Sequence, residues 1–114
     1  MVLLLDDDPD FRLALAAHLT DDGHGVAHFG RPAELPPLHS FEALTMLILD
    51  QQLEGESSLQ FADRFHATHP GVPVVMLAAY ESDYLRAEVA RRAFITLRRK
   101  PIDYDEIARL LPRD

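Results

Sequence analysis

The chain has 114 residues, 47% of them hydrophobic, enough for one domain with its own core, and it has no cysteine, which excludes a disulfide framework and a thiolate metal site. A formal net charge of −8 argues against nonspecific nucleic-acid binding, and no apolar stretch approaches the roughly 20 residues of a membrane helix. Asp6, Asp7 and Asp8 interrupt the only apolar start, so no signal peptide is expected, and the expectation is a single cytoplasmic domain over 1–114.

The first element is the apolar run Val2 to Leu5, a short buried strand that runs straight into three aspartates. Asp8-Pro9 is an N-cap followed by proline at the first helical position, and Phe11, Ala14, Leu15, His18 and Leu19 then share one helical face. Asp21-Asp22-Gly23 stops that helix. Gly25 to Phe29 reads as a second strand, after which Pro32, Pro36 and Pro37 leave room only for a short helix around Ala33 to Leu35. Leu44 to Leu49 is the third strand and ends at Asp50. Ser57 or Ser58 caps a helix carrying Leu59, Ala62 and Phe65 as far as His69-Pro70-Gly71, and Val72 to Leu77 is the fourth strand. Leu85 and Val89 line a fourth helix, Phe94 to Leu97 forms the fifth strand, and Asp103 with Glu106 opens a last helix presenting Ile107, Leu110 and Leu111. Five strands alternating with five helices predict a parallel α/β sheet covered on both faces.

In such a sheet the ligand sits beyond the carboxyl ends of the strands, so Asp6, Asp7 and Asp50 face one crevice. The fifth strand leads to Lys100-Pro101, and Lys100 is the only lysine among the 11 basic residues. Two carboxylate clusters and an ammonium at three strand ends are the parts needed to hold a divalent cation and a phosphoryl group together. The bland alternative is a set of solvated loop charges. The six histidines read as structural, since His24 and His28 would lie roughly 13 Å apart along a strand.

Leu5-Asp6-Asp7-Asp8-Pro9, Leu47-Ile48-Leu49-Asp50 and Lys100-Pro101, with the α/β alternation between them, resemble the receiver domain of bacterial two-component response regulators over nearly the whole chain. The resemblance implies a flavodoxin-like fold with strand order 2-1-3-4-5. It implies that Asp50 is the phosphoacceptor, taking a phosphoryl group from a phosphohistidine on a sensor histidine kinase or a histidine phosphotransfer protein. It implies Mg²⁺ held by Asp7, with Asp6, Asp50 and the backbone carbonyl of Gln52, and Lys100 paired with Asp50. Such a domain promotes its own phosphorylation and dephosphorylation without being an enzyme. A downstream protein partner is expected on the face of the fourth helix, fifth strand and last helix, near Arg91, Arg92, Arg98 and Arg99. Direct nucleic-acid and membrane contact are not.

The chain also departs from the family. Ala78 stands where a threonine or serine hydroxyl is usual, and Leu97 stands where a switch aromatic is frequent. Glu54 and Ser58 occupy the usual proline and glycine positions after the acceptor, with Gly55 beside them, and Ala93-Phe94 replaces a common Gly-Ala pair. The expected consequence is a weakened or non-standard switch. The principal rival is a degenerate receiver acting as a phosphorylation-independent interaction module. A magnesium-dependent phosphohydrolase would want a second acid at Gln52 and ranks lower.

Overall fold

The computed structural model describes residues 1–112. Alternating apolar runs and capped helices fold as β1 Val2–Leu5, α1 Pro9–Asp21, β2 Val26–Phe29, β3 Met46–Asp50, α2 Ser58–Thr68, β4 Val74–Ala78, α3 Asp83–Ala90, β5 Ile95–Arg99 and α4 Tyr104–Leu110. All four strand pairings are parallel and the sheet order is β2-β1-β3-β4-β5. The register sets Leu5 opposite both Phe29 and Leu49, and Asp50 opposite Leu77, so the carboxyl ends of the central strands finish level.

Side chains alternate across a strand, and that period of two divides the core. Leu3, Leu5, Leu47, Leu49, Val74 and Met76 pack with Phe61 and Phe65 of α2 and with Leu85 and Val89 of α3. On the other face Val2, Leu4, Met46, Ile48, Val75 and Leu77 pack with Leu15 and Leu19 of α1 and with Ile107 and Leu111. Strands buried on both faces need continuous apolar runs, as β1 and β3 have.

Helix ends follow their caps. The Asp8 carboxylate accepts from the backbone N–H of Asp10 at 3.0 Å and of Phe11 at 3.3 Å, with Pro9 at the position whose N–H would be unpaired anyway. Past its far end Gly23 takes φ +90°, where a side chain would strain the backbone. Ser57 and Ser82 cap α2 and α3.

Several boundaries differ from those the sequence predicts. The expected short helix is a single 3₁₀ turn, Pro32–Glu34, followed by a second, Leu38–Ser40, so the described residues hold four α-helices rather than five. Pro36 and Pro37 lack the N–H groups that would carry a helix onward. β4 begins at Val74 because Pro73 cannot donate to a ladder, and β3 begins two residues after Leu44. β5 starts at Ile95 while Phe94 leaves the strand to stack on His66, with ring centroids 3.9 Å apart. In α1 the sheet-facing residues are Leu15, Ala16 and Leu19, whereas Ala14 and His18 are exposed and Phe11 is half-buried. No described helix is long and apolar enough to cross a membrane.

The basic stretch near β5 is mostly paired. Arg92 grips Asp63 of α2 with two bonds, 2.8 and 2.9 Å, and donates to the Glu88 carbonyl at 2.7 Å, tying α2 to the end of α3. That fork holds the Asp63 carboxyl below its ordinary pKa. A lysine cannot reproduce two parallel bonds, so Arg92→Lys should lower unfolding stability in urea by about 1 kcal/mol. A change below about 0.3 kcal/mol would mean that the fork is no better than a solvated surface pair.

Candidate functional site

The level strand ends bring three of the predicted acids together. Asp6 continues β1 by donating its N–H to the Phe29 carbonyl at 3.1 Å, and its side chain is 1% exposed. Asp50 closes β3 and is buried, while Asp7 is exposed at the rim. Each offers a carboxylate oxygen, and the three oxygens lie within 4.8 Å of one another. Hard oxygen donors of this kind, with one exposed toward water, fit a small divalent cation that retains part of its hydration.

Lys100 reaches the same crevice from the residue after β5. Its N–H donates to the Ala78 carbonyl at 2.8 Å, which ties the lysine backbone to the end of β4. The peptide between Lys100 and Pro101 is cis. Its ammonium lies 2.8 Å from Asp6 Oδ2 and 3.8 Å from Asp50 Oδ2, so its closest partner is Asp6 and not the expected Asp50. The reason is burial: an uncompensated charge costs most where water is least available, and Asp6 is the most enclosed of the acids. The other Asp6 oxygen accepts from the Asp8 N–H at 2.9 Å, which closes the turn into α1.

Asp50 is left with less compensation. Its Oδ1 accepts from the Gln52 N–H at 3.2 Å, the interaction that places Gln52 beside it. Desolvation, joined by repulsion from Asp6 and Asp7 and opposed by the Gln52 N–H and Lys100, raises the Asp50 pKa from the usual 3.8 to about 6. A carboxylate held in this state gains from any positive charge brought to it.

The departures from the family occupy structural positions. Ala78 ends β4, fully buried, and offers its carbonyl to Lys100 but no hydroxyl. Leu97 is half-buried and packs on the core beneath α2 and α3. Ser58 is buried at the start of α2, with its hydroxyl 4.0 Å from Met76 Sδ. Gly55 takes φ +91°, a conformation that favours glycine, and Glu54 pairs with Arg31 at 3.5 Å. Two residues of the site are not evident from the sequence. Arg12 donates to the Asp6 carbonyl at 2.8 Å, and the Phe11 ring centroid lies 4.6 Å from Lys100 Nζ. Their helical phase is legible in the sequence, but a contact between Phe11 and a residue at the far end of the chain is not.

The family model of the response regulator receiver domain matches residues 2–111. The transcriptional regulatory protein GlrR of Escherichia coli (strain K12) is 26% identical over 106 residues, which cover 93% of this chain and 24% of that protein. An uncharacterized 14.6 kDa protein from the sodA1 3′ region of Leptolyngbya boryana is 29% identical over 112 residues, 96% of this chain and 86% of its own length. Among solved structures, a response regulator from Burkholderia pseudomallei with a phosphorylated aspartic acid, a calcium ion and citrate has a TM-score of 0.83 at 24% identity, over 97% of this chain and 65% of its own. The receiver domain of NtrX from Brucella abortus has a TM-score of 0.81 at 25% identity, over 96% and 93%. The chain therefore spans only about a quarter of the E. coli regulator it matches. Because the family match takes in both strand-end acids and the lysine that joins them, the chain belongs to the response regulator receiver domain family.

Proposed function

We propose that this receiver domain, taken as 1–114, is a phosphoacceptor in a two-component relay and that Asp50 takes the phosphoryl group from a phosphohistidine of a sensor histidine kinase or a histidine phosphotransfer protein. The observation that carries the reading is the burial of Asp50 at the end of β3, 3.8 Å from the only lysine and beside two further carboxylates. An Asp50 oxygen attacks phosphorus, an O–P bond forms as the donor's N–P bond breaks, and the released imidazole nitrogen keeps the electron pair and takes a proton. Asp50 becomes an acyl phosphate, and Lys100 moves its ammonium toward the new phosphoryl oxygens. Asp6, Asp7, Asp50 and the Gln52 carbonyl would hold Mg²⁺, which when bound supplies positive charge against the transferring group. Attack of water on phosphorus forms a new O–P bond as the bond to Asp50 breaks, which releases inorganic phosphate and returns Asp50 to a carboxylate, so the domain cycles without being an enzyme in the ordinary sense.

The output is proposed to pass to a protein partner on the α3, β5 and α4 face. Arg91 and Arg92 there pair with Glu88, and Arg98 lies 3.9 Å from Glu106, so the face is mixed in charge rather than a bare basic patch. With no hydroxyl at Ala78 and no aromatic at Leu97, the response is proposed to be weaker than the family's usual one. The same two residues favour the second reading, an interaction module indifferent to phosphorylation.

Intact-mass measurement after incubation with a small phosphodonor and Mg²⁺ should show one phosphoryl adduct, lost in Asp50→Asn and sharply reduced by chelator. Labelling that persists in Asp50→Asn would overturn the assignment.

Protonation gives an independent check. Because folding raises the Asp50 pKa to about 6, the native state holds a proton that the unfolded chain releases near 3.8. Stability from that proton is fully present below about 3.8 and is lost as pH rises through about 6. In chelator, Asp50→Asn should therefore gain stability over the parent between pH 4 and 7, by at most about 3 kcal/mol. Parallel urea stabilities of the two proteins across that range would contradict the crowding of the three acids.

The switch has its own test. A hydrogen bond to a charged group contributes about 1.5–3 kcal/mol, a large part of the roughly 5.5 kcal/mol needed to drive a two-state equilibrium from 1:99 to 99:1. With a beryllofluoride phosphoryl mimic, backbone amide shifts should stay near Asp50 and Lys100, and Ala78→Thr should extend them into α3. Large shifts across α3 and β5 in the parent would show a full switch by another route.

A further inference from the structure

We propose that Phe11 is a positioning residue for Lys100: its ring, with the centroid 4.6 Å from Nζ, holds the ammonium between Asp6 and Asp50 and so sets how well the acceptor site receives a phosphoryl group. The proposal rests on the phosphoacceptor reading and adds a residue to it.

Lysine is a point charge on a flexible four-carbon stem, and nothing in its own chemistry fixes its direction. Here the two ends of the stem are constrained. The backbone N–H is tied to Ala78 at 2.8 Å, and the ammonium meets Asp6 at 2.8 Å and Asp50 at 3.8 Å. Both carboxylates compete for the same charge, and Asp6 wins in the resting geometry. The aromatic face adds an attraction that comes from neither acid: the ring quadrupole attracts a cation without accepting its protons. Lys100 can therefore keep the ring contact while its N–H groups exchange Asp6 for a phosphoryl oxygen. A leucine at the same place would supply bulk and no such attraction.

Phe11 is itself held for this task. It lies in the first turn of α1, where its N–H donates to the Asp8 carboxylate that caps the helix, and Asp8 donates its own N–H to Asp6. The turn that aims Asp6 thus also aims the ring. Ile102 and Tyr104 pack with Phe11 against the core on the α1 side of the sheet. The lysine side chain is 22% exposed, low enough for a cation–π contact to exceed its fully hydrated value.

The test uses the fact that this chain has one lysine, so a ¹³C-lysine-labelled sample gives a single ε-methylene resonance. In metal-free protein that resonance should carry an upfield ring-current shift, kept in Phe11→Tyr and lost in Phe11→Leu. With phosphoramidate as donor and saturating Mg²⁺, Phe11→Leu should slow labelling of Asp50 about three- to tenfold, the range expected for a partly shielded cation–π contact, and Phe11→Tyr should restore the rate. In a Lys100→Met background Phe11→Leu should have no further effect, an outcome that a purely structural role for the ring does not produce. An unshifted lysine resonance in the parent, or equal rates for Phe11→Leu and Phe11→Tyr in a parent that labels, overturns the role of Phe11 alone. A parent that takes no label overturns the acceptor reading and this role with it.

Discussion

One ammonium shared by two buried carboxylates is the constraint on which the site depends. Asp6 and Asp50 bring two buried carboxylates into one crevice, and among the described residues Lys100 is the only side-chain cation placed between them. Its reach is set by a backbone bond to the end of β4, so the ends of β1, β3, β4 and β5 must finish level for the three groups to meet. The parallel register does this, and two apolar cores, one on each sheet face, keep the strands from sliding. A slip of one residue would turn Asp50 to the opposite face.

The remaining imbalance distinguishes the two buried acids. Asp6 takes the closer share of Lys100, and Asp50 is left with a raised pKa and an appetite for positive charge. A cation and a phosphoryl group are the additions that such a crevice would accept together. Away from the crevice the arginines largely have carboxylate partners, as the Arg92 fork on Asp63 and its contact with Glu88 illustrate. The uneven sharing of one cation is therefore concentrated at the strand ends, where Ala78 offers a carbonyl to Lys100 but no hydroxyl.

Much of this is legible from local pattern. Apolar runs that stop at aspartate mark buried strands whose ends face a crevice, and Asp8-Pro9 announces its helix through cap chemistry that needs no tertiary contact. The sheet order comes with the family resemblance, and the sheet has that order. What is not legible depends on distance in three dimensions. The preference of Lys100 for Asp6 follows from relative burial, and the nearness of Phe11 to Lys100 from the packing of α1 against the segment after β5. The start of β4 is misplaced by a pattern in which a run of valines outweighs the missing N–H of Pro73, and the basic look of Arg91 to Arg99 conceals partners on α2 and α4.

The dependence of the site on the shared ammonium is tested most directly by a double-mutant cycle between Asp6 and Lys100, read as urea unfolding stability in chelator at pH 7. Removing one partner of a buried pair strands the other, so Lys100→Met should cost about 3 kcal/mol in the parent and at least about 2 kcal/mol less in an Asp6→Asn background. Equal costs in the two backgrounds would show that Lys100 and Asp6 are independent surface charges, and that no shared ammonium holds the crevice together.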